Sequence, residues 1–333
     1  MEKKEKRILT GDRPTGKLHL GHYVGSLQNR VELQKKYDTF LIIADVQALT
    51  TNFDRPEKLS EDVRQVALDY LAVGIDPEET TILVQSMIPE IAELTVYYSM
   101  LVTVNQLRRN PTIKSESEQY GYKEMTYGFL GYPVSQAADI TFCKSDLVPV
   151  GEDQLPHIEQ TRKIVRKFNQ MYDKVFPEPE PLIGDFPRLV GLDGKSKMSK
   201  SLNNAIFLND PGETVENKIN EAVTDPERIR IDDPGHPEVC TVFEYHQAFN
   251  SGDADEIEEA CRAGEIGCVE CKRKLSASIN ELLGPIRERR AMYENNPDKV
   301  DEILLAGTKH AREVAAETME EVRAAMSLDY FEV

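Results

Sequence analysis

His19 and His22 stand three residues apart in Thr15-Gly16-Lys17-Leu18-His19-Leu20-Gly21-His22, where a helical pattern opens after a short apolar run. At that spacing two imidazoles share one face of a first helical turn. A helix N-terminus offers unpaired N–H groups to phosphate, and both rings can add hydrogen bonds to phosphoryl oxygens. Gly21 between them would let a flat adenine ring approach the backbone. A second stretch, Lys197-Met198-Ser199-Lys200-Ser201, follows Gly191-Leu192-Asp193-Gly194-Lys195. A glycine-flanked loop with two lysines can close over a triphosphate, and its charge would stabilise the negative charge that develops on departing pyrophosphate. Either segment alone also fits a plain surface helix or loop. Their co-occurrence, one after a first strand and one after a last, is rare by chance.

A third group is Cys240, Cys261, Cys268 and Cys271, separated by 20, 6 and 2 residues and comprising four of the five cysteines. Closely spaced thiolates suit zinc or an iron–sulfur cluster, and four supply every ligand that either needs. Unconnected free thiols are the remaining alternative. Such uneven usage in a chain without an apolar leader points away from disulfides. Cys143 is expected to be a small buried apolar residue.

The elements that must position these residues read as follows. Arg7–Thr10 is a short buried strand ending in the turn Gly11–Gly16, and a helical pattern runs from about Leu18 to Tyr37. Phe40–Ala44 and Thr81–Val84 are further apolar runs, separated by a helix around Pro56–Val73, and Leu147–Val150 leads through Gly151 into a helix Leu155–Phe168. Strands alternating with helices imply right-handed βαβ units and a parallel sheet covered on both faces. Phe176–Pro181 reads as a proline-rich connector. From about Asn209 helical periodicity dominates to Met326. The expectation is α/β, a Rossmann-like doubly wound sheet over residues 1–205, followed by an all-helical domain over 206–333.

With 333 residues and a 40% hydrophobic fraction, the chain has ample material for two cores. No stretch approaches the ~20 consecutive apolar residues of a membrane span, and a cytoplasmic protein is expected. The net charge of −18 argues weakly against a nucleic-acid partner, unless lysines and arginines gather on one face. Candidates are Arg108-Arg109, Arg162-Lys163 with Arg166-Lys167, Lys272-Arg273-Lys274, and Arg287 with Arg289-Arg290.

The two loop segments match the "HIGH" and "KMSKS" signatures of class I aminoacyl-tRNA synthetases, the second letter for letter and the first with Leu20 in place of Ile. The segments Gly131-Tyr132-Pro133-Val134-Ser135-Gln136-Ala137-Ala138-Asp139-Ile140 and Val148-Pro149-Val150-Gly151-Glu152-Asp153-Gln154 resemble the tryptophanyl enzymes of that class. Gly11-Asp12-Arg13-Pro14-Thr15-Gly16 is similar to their second bacterial type. Tyrosyl enzymes carry a Tyr where this chain has Ala138. Gln136 and Gln47 depart from the Met and His of the commoner bacterial type, so those two walls are not carried over.

The resemblance implies ATP-dependent activation of L-tryptophan with Mg²⁺, then transfer to tRNA(Trp), by a homodimer. It implies catalytic roles for His19, His22, Lys197 and Lys200. Asp139 would accept the indole N–H, Tyr132 and Gln154 would hold the ammonium group, and Val148 and Val150 would wall the indole slot above Leu9. ATP contacts fall to Gly11, Arg13, Pro14, Thr15, Gly21, His22, Gly151, Glu152, Asp153 and the loop Lys197, Met198, Ser199, Lys200, Ser201. A subset of the family carries a four-cysteine [4Fe–4S] cluster with nearly this spacing, the first gap here being about two residues shorter; Zn²⁺ is the alternative. A site so far in sequence from His19 and Lys197 is expected to serve tRNA docking and local folding, with Lys272–Lys274 and Arg287–Arg290 holding the anticodon end.

Overall fold

A computed structural model describes residues 6–122, 124–151, 154–183 and 189–330. Five parallel strands form one sheet in the order β3-β2-β1-β4-β5: β1 (Arg7–Asp12), β2 (Asp38–Ile43), β3 (Thr80–Val84), β4 (Leu147–Val150) and β5 (Glu180–Ile183). The order reverses between β1 and β4, so the crevice at the carboxyl ends of those two strands is where a ligand can enter an open parallel sheet. The expected doubly wound α/β architecture with a helical segment after it is what the chain adopts.

Alternate residues of β2 face opposite sides, as strand geometry requires. Leu41 and Ile43 join a core built on the helix Leu59–Val73, while Phe40 and Ile42 join a second core with the helices Pro89–Ser99, Tyr127–Thr141 and Leu155–Met171. Side chains from the helix Cys268–Glu294 enter the first core, and those of Pro297–Ala325 enter both. The helical segment thus closes over the sheet instead of hanging from it. Pro297–Ala325 covers the free edge of β3: Val84 N–H donates to Thr308 Oγ1 at 3.1 Å, and a Cβ on Gly307 would lie 2.1 Å from Ile82 O. Only glycine allows that approach, and the edge is thereby closed to pairing with another chain.

Two elements differ from the sequence expectation. The connector Phe176–Pro181 contains the start of β5, an edge strand; Pro181 lacks an N–H, which an outermost strand tolerates. The first long helix is interrupted. Leu20–His22 is α-helical, Tyr23–Leu27 is a π-turn, and Gln28–Leu33 resumes the α-helix. Such π-turns concentrate at functional sites.

Candidate active site

The floor of the crevice is a buried ionic network. Asp12, the last residue of β1, receives Arg30 Nη1 at 2.5 Å and the Tyr70 hydroxyl at 2.8 Å. Burial alone would raise the Asp12 carboxyl, but the Arg30 charge, the neighbouring His22 and the hydrogen bonds from Arg30 and Tyr70 together outweigh it and hold the group below the usual carboxylate range. Gly11 beside it must be glycine, since a Cβ there would lie 1.9 Å from Ile42 O.

Above this floor the imidazoles of His19 and His22 meet at a tilt of 50°, with ring centroids 3.8 Å apart. His22 Nδ1 accepts the His19 backbone N–H at 3.3 Å, which leaves the proton of a neutral ring on Nε2. Burial, then the neighbouring His22, Lys200 and Lys197 charges, push His19 down to about 2. Burial pushes His22 down to about 4 against the pull of Asp12. Both rings are therefore neutral hydrogen-bonding groups at physiological pH. Gly21 is tightly enclosed: its N–H points at Met198 Sδ at 3.3 Å, and an added Cβ would lie 3.0 Å from the His19 ring. The side expected to admit adenine is filled by His19 and Met198.

Residues Leu189–Met198 form a hairpin, with Gly191 N–H donating to Ser196 O at 2.7 Å and Met198 N–H to Leu189 O at 3.2 Å. Asn204 staples the loop behind it. Its Nδ2 donates to Asp193 Oδ1 at 3.1 Å, and its Oδ1 accepts Ser199 N–H at 2.8 Å. Lys197 is exposed. Lys200 reaches across to the turn before His19 and donates to Gly16 O at 2.7 Å, with Thr15 Oγ1 at 3.4 Å. Burial lowers the Lys200 ammonium from its usual range. The structure thus brings His19, His22, Thr15, Met198 and Lys200 together. Arg13 points instead toward Glu116 at 3.5 Å and is exposed, and Pro14 is buried in the turn. Glu152 and Asp153 lie outside the described residues; Ser201 is in the turn Lys200–Leu202.

On the other side of the switch point, Leu9, Tyr132, Val148 and Val150 belong to one apolar cluster. Asp139, on the helix Tyr127–Thr141, is 4% exposed. Its Oδ1 accepts Gln85 Nε2 at 2.7 Å and its Oδ2 accepts Gln47 Nε2 at 3.2 Å. Burial pushes its carboxyl up to about 7, opposed by those two amides. Each oxygen keeps a further lone pair for a donor entering the pocket. The Tyr132 hydroxyl lies 3.1 Å from His157 Nε2, and Gln154 caps the next helix. The glutamine clamp was not legible in the sequence. Gln47 comes from the helix Asp45–Asn52 and Gln85 from the helical turn Gln85–Met87, and their one visible signal was a place just past the carboxyl ends of β2 and β3.

Cys240, Cys261, Cys268 and Cys271 line a single pocket with Thr224, Asp225, Arg228 and Val242. Arg228 Nη1 lies 3.6 Å from Cys261 Sγ, and His246 Nε2 lies 3.4 Å from Cys271 Sγ. Burial, then the other three thiols, push Cys271 up to about 12. Among the described residues no three His, Cys, Asp or Glu side chains are gathered closely enough to hold one metal ion. Cys143 is buried, as expected. Of the two basic clusters near this pocket, Arg287 to Arg290 is largely consumed inside the molecule: Arg290 is 1% exposed and pairs with Asp69, Arg289 Nε donates to Ala72 O at 2.7 Å, and Arg287 Nη1 donates to Asp210 O at 2.9 Å. In the other, Lys272 Nζ donates to Asn220 O at 2.7 Å, while Arg273 is exposed and pairs with Glu270. The buried Arg290 is not available to an anticodon. Arg290 follows Leu275, Ile279, Leu283 and Ile286 on the helix's inward stripe, a spacing that marks it as buried.

Residues 1–284 match the family model described as class I tRNA synthetases (W and Y). The tryptophan–tRNA ligase of Streptococcus pneumoniae is 51% identical, the alignment covering 97% of this chain and 98% of that protein. The tryptophan–tRNA ligase of Thermotoga maritima is 49% identical over 97% of this chain and 99% of its own length. A crystal structure of the Campylobacter jejuni tryptophanyl-tRNA synthetase, complexed with ADP and tryptophan, superposes with a TM-score of 0.86 at 31% identity, covering 96% of this chain and 99% of that one.

Proposed function

The chain belongs to the tryptophan–tRNA ligases of the class I tRNA synthetases, and on that premise we propose how its residues divide the work. The protein is an ATP-dependent ligase that activates L-tryptophan to tryptophanyl-adenylate and then charges tRNA(Trp). The tryptophan carboxylate attacks the α-phosphorus of ATP in line, and the bond to the β-phosphate breaks with its electron pair leaving on pyrophosphate. A terminal ribose hydroxyl of the tRNA then attacks the activated carbonyl and AMP departs.

One observation carries the assignment of the amino-acid site: a buried carboxylate, Asp139, held from behind by two amide donors in an apolar slot. A site built around an acceptor rejects analogues that lack the donor. Asp139 receives the indole N–H, Leu9, Val148 and Val150 wall the ring, and Tyr132 and Gln154 meet the ammonium group. His19 and His22 donate to phosphoryl oxygens, while Lys197 and Lys200 follow the charge onto pyrophosphate. Gly11, Thr15, Gly151, Glu152, Asp153, Met198, Ser199 and Ser201 complete the ATP contacts, whereas Gly21, closed off by His19 and Met198, and Arg13, turned toward Glu116, are left out of them, as is the buried Pro14. The side chains facing the phosphate path are imidazoles and ammonium groups, which suits Mg²⁺ carried on the nucleotide's own oxygens. Bound there, Mg²⁺ neutralises triphosphate charge.

We infer a [4Fe–4S] cluster at the cysteine pocket, with Zn²⁺ as the alternative: four thiols line one pocket, which is every ligand that either needs. Cys240, Cys261, Cys268 and Cys271 would hold the cluster, which supplies a structural cross-link between Cys240, Cys261 and the helix Cys268–Glu294. Residues 1–205 act as the catalytic domain and 206–333 as the anticodon-binding domain, in a cytoplasmic homodimer. No helix among the described residues is long and apolar enough to cross a membrane.

The protein contains no tryptophan, so bound substrate is the only indole. Titration should give a saturable change in indole emission with L-tryptophan that L-tyrosine does not displace. Displacement by tyrosine at equal concentration would reassign the pocket. Anaerobic purification should yield a brown protein with about four iron and four sulfide per chain; a colourless protein with one zinc selects the alternative.

A further inference from the structure

The helical segment grips the hairpin that leads to Lys197. Val190 N–H donates to Glu244 Oε1 at 3.2 Å, and the Tyr245 hydroxyl donates to Val190 O at 2.7 Å. Both side chains belong to the helix Thr241–Phe249. At the hairpin's tip, Val223 N–H donates to Leu192 O at 2.9 Å. Gly194, at φ +65°, packs so closely that a Cβ would lie 2.8 Å from Thr241 Oγ1 and 3.4 Å from Val223 Cβ. The next residues along the chain from these two contacts, Thr224 and Val242, line the cysteine pocket. Cys240 directly precedes the helix, and its carbonyl accepts the N–H groups of Phe243 and Glu244 at 3.1 and 3.2 Å. Residues 223–224 and 240–245 are therefore one wall, with the hairpin on one side and four thiols on the other. Distance in sequence from Lys197 had suggested no such neighbourhood.

We propose that Glu244 and Tyr245 are positioning residues for Lys197 and Lys200, and that the contents of the cysteine pocket set their grip. The proposal rests on the synthetase reading of those lysines, but not on which metal fills the pocket. A group held by all four thiols would tie Cys240 to Cys261, Cys268 and Cys271 and would fix the first turn of the helix that follows it. Glu244 lies in that turn and Tyr245 beside it, so Val190 is fixed with them. The lysine charges act only when correctly placed on the departing phosphates, and small displacements there are costly.

Two arms test this. Tyr245→Phe removes one donor and should lower kcat for tryptophan-dependent ATP–pyrophosphate exchange about two- to tenfold, with KM for tryptophan unchanged. Glu244→Ala should do the same, while Glu244→Gln, which keeps an acceptor oxygen, should restore the wild-type rate. In the second arm, amide hydrogen exchange is followed in the full chain, anaerobically reconstituted with iron and sulfide or with zinc, and again after chelation. The amides of Gly191 and Met198 should exchange about tenfold or more slowly in the loaded protein, while those of Thr39–Ile43 stay the same. If no metal is taken up, alkylation of the four half-buried thiols is the perturbation, and the same two amides must respond. Equal exchange at Gly191 and Met198 in filled and empty protein overturns the coupling. A raised KM with unchanged kcat in Tyr245→Phe overturns the positioning role. Failure of the synthetase reading is seen separately, as absence of tryptophan-dependent exchange in the wild type, and the amide arm then still decides the coupling.

Discussion

The proposed tryptophan pocket and the proposed phosphate loop flank the same strand ends but are built in opposite ways. Asp139 is buried on the interior face of a helix and held through both oxygens. Lys197 stands exposed on a hairpin, and Lys200 is held by a single backbone oxygen, with Thr15 more distant. Recognition of one ring needs an acceptor that does not move, because mobility would let it serve other donors. Stabilising charge that appears only as pyrophosphate leaves needs groups that arrive with it. One fold supplies both by placing the first site inside the core and the second on a tether.

The largest expected effect tests the rigid side at its base. Asp12→Ala leaves the buried Arg30 guanidinium without its carboxylate, and stability at pH 7 should fall by about 3–5 kcal/mol in urea unfolding. The Asp12 carboxyl is held below its unfolded value, so its contribution is present above about pH 4 and is lost as pH falls further. A loss under about 1 kcal/mol would mean the floor is not a rigid platform. On the mobile side, Lys200→Ala should lower the rate of activation by about 10²-fold or more with little change in KM for tryptophan. Single-turnover kinetics would show whether the loss lies in the chemical step.

Asp139→Ala should weaken tryptophan binding by about 1–3 kcal/mol, read by indole emission; unaltered affinity would remove Asp139 as the specificity residue. The smallest effect comes from pH. With its carboxyl pushed up to about 7 by burial, Asp139 is mostly protonated at pH 6 and mostly ionised at pH 8. The ionised form is the better acceptor, so Kd for tryptophan should fall about tenfold over that interval and level off above it. A flat profile would mean that bound tryptophan does not distinguish the two forms.

The α/β sheet, the two signature segments and the place of Asp139 on its helix were readable because each is local: an apolar run, a spaced pair of histidines, a short motif on one helix. What was missed is what the fold assembles from distant places. Gln47 and Gln85 meet at Asp139 from two separate helical segments after β2 and β3, and Glu244 and Tyr245 reach Val190 from more than fifty positions away. Arg290 was read as surface charge because its neighbours Arg287 and Arg289 are charged too. Its place on an apolar stripe was the stronger signal. The strand β5 was hidden by Pro181, which penalises a central strand but not an edge.

The division between a buried recognition site and a surface catalytic loop is tested most directly by steady-state ATP–pyrophosphate exchange, run with all twenty amino acids on the wild type and with tryptophan on Asp139→Ala and Lys200→Ala. Tryptophan alone should support exchange in the wild type. Asp139→Ala should act mainly through KM for tryptophan, and Lys200→Ala through kcat with KM nearly unchanged. Exchange with another amino acid at a comparable rate, or a Lys200→Ala enzyme whose KM rises while kcat holds, would contradict it.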